Sequence, residues 1–206
     1  AATDVEAQAL ASKLGVSVAT IKAKFADLNE HNPMLGHRGC RLAITYPEIY
    51  EMQVEAIALA TAHAEKDGIA HDVRIMIPNV TSVNELKQIR AQAEAVIEKV
   101  NEAKGTNLKF QIGSMIEFPL AACTADQIAQ YADFFSFGTN DLTQTTFGFS
   151  RDDYGKFIDS YLDQKILEKD PFKTLDPDGP GALMEIAEAK GRSVKSDLHL
   201  GICGEH

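Results

Sequence analysis

Along this chain apolar positions recur with two different periods, and the change of period falls near Pro33. Before it the spacing is helical. The stretch DVEAQALASKLG stops at Gly15, and SVATIKAKFADLNEH starts at a capping Ser17 with Val18, Ile21, Phe25 and Leu28 on one face. Residues 1–32 are therefore expected to form a small helical hairpin appended to a larger domain. After Pro33 short apolar runs end in Gly or Pro and lead into amphipathic stretches. Strands are predicted at MLGHRG, VRIMIP, FQIGSMIE, FFSFG and LHLGICG, and helices at roughly 47–66, 81–104, 124–132, 155–168 and 180–192.

Strands that alternate with helices of this length imply an α/β protein with a parallel sheet and crossover helices on both faces. Two architectures satisfy the pattern, the doubly wound sheet and the β/α barrel. No G-x-G-x-x-G or G-x-x-x-x-G-K follows any strand, so neither common nucleotide cradle is present, and the balance moves to the barrel. A closed barrel needs eight strands. With about five in view, residues 33–206 are expected to form an incomplete (β/α)8 TIM-type barrel.

Composition narrows the partners. A hydrophobic fraction of 45% allows a sizeable core, and no apolar run approaches the length of a bilayer-spanning helix. The N-terminus has no basic-then-apolar signal pattern, which points to the cytoplasm. Cys40, Cys123 and Cys203 make neither a paired framework nor a C-x-x-C spacing, as expected of free thiols in a reducing compartment. The formal net charge of −10 repels nucleic acid and anionic membranes. It also disfavours a helix-turn-helix reading of ALASKLGVSVATIKAKF, whose second helix offers phosphates only Lys22 and Lys24.

Chemistry is expected where parallel strands finish, because side chains there face a common mouth. The endings are polar. MLGHRG leads to Arg38, IGSMIEFP to Glu117, FFSFGTND to Gly138, Thr139, Asn140 and Asp141, and LGICGEH to Cys203 and Glu205. Each has an ordinary explanation alone, Asp141 as a helix-start acid and Cys203 as a small buried hydrophobe. Together they describe a site. Two carboxylates from neighbouring strands suit Mg²⁺, which keeps waters and takes further oxygens from a phosphorylated substrate. Arg38 supplies a planar fork for a phosphate or carboxylate, and the first amides of the helix after Gly138 attract an anion.

At these residues the chain resembles the phosphoenolpyruvate-utilising enzyme family, whose signatures GHRGCRL, GSMIEFPLAA, FFSFGTNDLTQTTFGFSRDD and GICGEH stand here in the same order. The wording around Arg38 and after Cys203 is that of the members that convert ATP, phosphate and pyruvate to AMP, diphosphate and phosphoenolpyruvate. Phosphoenolpyruvate synthase and enzyme I of the sugar phosphotransferase system differ at both places, and stand as alternatives beside a non-catalytic binding or dimerisation module. The resemblance implies a barrel that binds pyruvate or phosphoenolpyruvate with Mg²⁺ and is reached by a phosphohistidine on a swivelling domain of the same full-length chain, in a homodimer. It also implies roles. Glu117 and Asp141 are the metal ligands; Arg38, Glu117, Gly138, Thr139, Asn140 and Asp141 line the substrate; and Cys203 is the acid/base.

The departures carry weight as well. The family's two earlier arginine-bearing strands and its phosphohistidine and ATP-grasp domains have no counterpart here, nor do the glycines and last strand that follow the cysteine motif. The chain therefore reads as an internal fragment, expected to be catalytically silent alone. His206 belongs to the loop after Cys203 and is not expected to carry phosphate.

Overall fold

The computed structural model describes residues 3–30 and 32–206, which divide into two compact units, residues 1–36 and 37–206. The first unit contains α1 (Asp4–Leu14) and α2 (Val18–Asp27). Both start as expected. Thr3 and Glu6 exchange hydrogen bonds in a reciprocal cap, and the Ser17 hydroxyl accepts from the Thr20 amide at 3.0 Å. Ala7, Ala11 and Ile21 form its small core with Val18 against them. The apolar face read for α2 is only half used, since Phe25 and Leu28 are exposed.

The second unit runs through α3 (Cys40–Thr45), α4 (Pro47–Lys66), β1 (Arg74–Ile77), α5 (Val83–Lys104), β2 (Gln111–Ile116), α6 (Pro119–Cys123) and α7 (Ala125–Ile128). It continues through β3 (Phe134–Gly138), α8 (Thr139–Phe147), α9 (Ile158–Asp163), α10 (Ala182–Val194) and β4 (His199–Cys203). The four strands form one parallel sheet in chain order, β1-β2-β3-β4. This is the mixed α/β protein with a parallel sheet that the alternating pattern predicts. No helix among the described residues is long and apolar enough to cross a membrane.

Side chains alternate across the sheet, so Ile75, Ile77, Ile112, Ile116, Phe135 and Phe137 share one face, and it is this face that meets the helices. Leu86, Ile89, Ala93 and Val96 of α5, with Ala187 of α10, complete the core there. The opposite face carries Met76, Met115, Ser136 and Cys203, of which Met76 and Cys203 are exposed. Helices do not cover the two faces alike, contrary to the expectation of full cover. At the start of the strands Arg90 of α5 donates to Tyr131 O at 2.8 Å and to Asp133 at 3.0 Å, while Asp133 accepts from the Ile112 amide at 2.8 Å. That clamp fixes β2 and β3 to α5 at the end away from the predicted site.

Three predicted elements need correction. MLGHRG is not a strand: Pro33–Leu35 is a 3₁₀ turn, and residues 36–39 are bends and a turn leading into α3. Gly39 has φ 59°, a left-handed backbone that no strand contains. The helix predicted over 155–168 shrinks to a 3₁₀ turn at Tyr154–Lys156 and the short α9, and that over 124–132 begins earlier and is split into α6 and α7. Aromatic packing explains the first. Phe149, Phe157 and Tyr161 stack edge to face or tilted at 5.0–6.1 Å, which favours a compact corner over one long helix.

Candidate functional site

Parallel strands place their final residues side by side, and here β2 and β3 end in acids. Glu117 follows β2 directly, and Asp141 lies in the first turn of α8, which starts as soon as β3 stops. Both are buried, at 2% and 5% exposure. Their carboxyl groups lie close enough for each to alter the ionisation of the other. Gly138 allows it: a Cβ there would lie 2.5 Å from Glu117 Oε2 and 2.7 Å from Met115 Cε. A side chain at 138 would displace the acid.

Two acids packed together out of water resist ionisation. Burial pushes the Glu117 carboxyl up to about 7, the nearby Asp141 adds to the rise, and the Asn79 amide, donating to Glu117 Oε1 at 2.5 Å, opposes it. Asp141 is also raised by burial, against the pull of Arg38. The Arg38 guanidinium stands 3.6 Å from Asp141 Oδ2, so the structure brings Arg38 to the acids, although from the turn before α3 and not from a strand end. Asp141 Oδ1 is buried and has no hydrogen-bond partner.

On the other side of β3 is β4. Cys203 pairs in register with Gly138, and its exposed thiol accepts a hydrogen bond from the Ser136 hydroxyl at 3.8 Å. Thr139 Oγ1 donates to Cys203 O at 3.2 Å and contacts His206 Nδ1 at 2.7 Å, while Asn140 Oδ1 accepts from the Glu205 amide at 3.3 Å. Thr139 and Asn140 thus tie the end of β3 to the segment after Cys203. No side chain caps the start of α8, so its first amides keep their partial positive charge toward the site. Glu205 is paired with Arg151, and His206 Nε2 lies 2.7 Å from Pro171 O.

The donor set suits a hard cation. Two buried carboxylates, one with an unpartnered oxygen, match an ion that prefers oxygen ligands and takes the remainder from water or an anion. No group of three or more His, Cys, Asp or Glu side chains able to enclose a metal occurs among the described residues, so the protein's own share is the acid pair. Arg38, Glu117, Gly138, Thr139, Asn140, Asp141 and Cys203 all gather at one end of the sheet. Sequence reading passed over Asn79 and Ser136. The first had the signal already used elsewhere, a polar residue at a strand end in VRIMIPN; the second is visible only from the register that sets it beside Gly201 and below Cys203.

Known proteins resemble this chain over nearly its whole length. The family model described as PEP-utilising enzyme, PEP-binding domain, matches residues 9–206. The chain is 53% identical over 205 residues to pyruvate, phosphate dikinase of Clostridium symbiosum, covering 99% of this chain and 24% of that protein. It is 52% identical over 205 residues to the protein of that name from Rhizobium meliloti, with 99% and 23% covered, and 52% identical over 185 residues to that from Giardia intestinalis, with 90% and 21% covered. It spans about a quarter of the length of the curated relatives it matches. On the strength of a match across nearly all of its residues, the chain belongs to the PEP-utilising enzymes and corresponds to their PEP-binding domain.

Proposed function

We propose that this chain binds pyruvate or phosphoenolpyruvate together with Mg²⁺ at the ends of β2, β3 and β4. We further propose that it serves a protein that converts ATP, phosphate and pyruvate to AMP, diphosphate and phosphoenolpyruvate. The observation that carries the reading is the buried Glu117–Asp141 pair, with Arg38 at 3.6 Å from one acid and Cys203 on β4 in register with the last residue of β3. Such a pair is costly for a protein to bury unless positive charge joins it. The names of the relatives supply the reaction, and the phosphoryl group would arrive from a histidine on another domain of a longer chain, in a homodimer within the cytoplasm. We read the sheet as four consecutive strands of a β/α barrel, a reading supported by strands all parallel and in chain order with the acids at their C-terminal ends. In the same reading residues 1–32 are an appendage of that barrel.

In this site Mg²⁺ would supply positive charge for the oxygen that becomes an enolate when pyruvate loses a methyl proton. Glu117 and Asp141 would hold the ion through their carboxylate oxygens. Arg38 offers its fork to the phosphate or carboxylate of the substrate, a transfer in which positioning and electrostatics do most of the work. Cys203 takes the methyl proton as thiolate and returns it as thiol. The Ser136 hydroxyl, donating to the sulfur at 3.8 Å, holds the thiol at the end of β4.

The test has two parts. Calorimetry of the chain with Mg²⁺ and oxalate, a two-oxygen mimic of the enolate, should show binding that depends on both. No binding in millimolar Mg²⁺ and oxalate would overturn the reading. In a complete protein carrying these residues, Cys203→Ala should stop exchange of pyruvate methyl hydrogens with solvent while phosphorylation of the histidine by ATP continues; unchanged exchange removes Cys203 from the chemistry. Release of diphosphate, as opposed to phosphate alone or transfer to a carrier protein, separates the proposed reaction from those of the other family members.

A further inference from the structure

Two residues beyond β1, at the same end of the sheet as Glu117, Asp141 and Cys203, stands another polar residue, Asn79. It is fully buried, at 0% exposure, and has φ 59°, the left-handed region that a residue with a Cβ seldom enters. Its backbone is held from both sides. The amide donates to Glu117 Oε1 at 2.5 Å, and the carbonyl accepts from the Cys40 thiol at 3.0 Å. The carboxamide is another matter: neither Oδ1 nor Nδ2 has a partner. It packs against Gly39, where a Cβ would come within 2.1 Å of Oδ1, and Gly39 adjoins Arg38, the arginine that faces Asp141.

Glycine at this position would meet both backbone bonds without left-handed strain and without an unpaired buried amide. Asn is tolerated in such a turn when its side chain bonds nearby backbone, and this one makes no such bond. Strain and unpaired polarity at one residue, whose backbone amide bonds one of the two acids, are features of a site that takes a polar guest. A buried carboxamide of this kind is most readily completed by ordered water. Mg²⁺ keeps several of its waters, and each needs an acceptor.

We propose that Asn79 is an outer ligand of the cation site, its Oδ1 accepting a hydrogen bond from a water in the shell of a divalent ion held by Glu117 and Asp141. The inference rests on the reading of those acids as a cation site. Asn79 is a positioning residue and touches no reacting atom. Outer partners of this type change metal affinity by about 10- to 100-fold.

The probe is Mn²⁺ alone, titrated into the chain and followed by the electron paramagnetic resonance signal of the free ion, with thermal unfolding of each metal-free variant alongside. Asn79→Gly should bind Mn²⁺ about 10-fold or more weakly than the wild type while unfolding at the same or a higher temperature without metal. Asn79→Asp keeps an acceptor and should bind at least as tightly as wild type. Equal affinity of wild type and Asn79→Gly overturns this inference and leaves the acid pair intact; a wild type that binds no Mn²⁺ overturns the cation reading and this inference with it. If Asn79→Gly fails to fold, Asn79→Leu, similar in size but without an acceptor, takes its place against Asn79→Asp. Equal affinities of those two overturn the inference.

Discussion

The carboxyl groups of Glu117 and Asp141, delivered by adjacent parallel strands, are in contact with one another and almost out of reach of water. Without added positive charge the pair cannot carry two full negative charges cheaply, and burial raises both carboxyls above their ordinary values.

Stability without metal should therefore fall as pH rises. Glu117 has a folded value of about 7 against 4.5 for the exposed group, chiefly through burial. A group raised on folding stabilises the fold below its unfolded value and loses that contribution as pH climbs through the folded one, so the loss falls between about pH 4.5 and pH 7. Asp141, raised by burial too, acts in the same sense. Asp4, Asp126 and Asp153 are lowered by lysine partners and act in the opposite sense, but only in more acid solution. Thermal unfolding of the wild type should show a decline over this window that Glu117→Gln flattens. A profile that is the same for both would place the proton elsewhere.

Metal binding should reverse that decline and release protons. Calorimetry of Mg²⁺ binding near pH 6.5 in two buffers of different ionisation enthalpy should give different apparent heats, the difference shrinking toward pH 8.5. Asp141→Asn should weaken the titration by about 10-fold or more. An unaltered titration would reduce Asp141 to a helix-start acid.

Gly138→Ala places a methyl group where Glu117 Oε2 and Met115 Cε now lie, at 2.5 Å and 2.7 Å. The expected cost is about 1–3 kcal/mol, typical of overpacking, together with loss of Mg²⁺-dependent oxalate binding. Denaturant unfolding and calorimetry measure the two separately. A variant of normal stability and affinity would show that the strand end yields easily.

Thiol reactivity should sort the three cysteines. Burial pushes the Cys40 thiol up to about 12, and its S–H is already given to Asn79 O, so it should not react with a thiol reagent in the folded chain. Cys123 and Cys203 are exposed and should react. Two thiols should titrate in native protein and the third after denaturation, and Mg²⁺ with oxalate should slow Cys203 alone. Rapid native labelling of Cys40 would contradict its packing against Pro78 and Asn79.

Arg90→Met removes the clamp on Tyr131 O and Asp133 at the far end of the sheet. Loss of charge-assisted bonds there should cost about 2 kcal/mol in denaturant unfolding. Cation affinity of the folded variant should be unchanged. A fall in affinity as large as that from Asp141→Asn would mean that the two ends of the sheet are coupled.

What the amino-acid order determined by itself was periodicity and punctuation. Four of the five predicted strands and the long helices α4 and α5 were legible because apolar spacing and the Gly or Pro that ends a run are local properties. The motif residues were legible as well, because polar groups placed directly after buried strands are costly unless used. Tertiary structure alone decided which of them meet. Arg38 reaches Asp141 from a turn that apolar spacing misread as a strand, and beside it Gly39 has a left-handed backbone and packs against Asn79, which leaves no room for a Cβ. The pairing of Cys203 with Gly138, the Ser136 bond to its thiol, and the burial that raises Glu117 depend on sheet register and on helices far away in the chain. Ionisation and approach are through-space quantities, and only the folded chain sets the distances on which they depend.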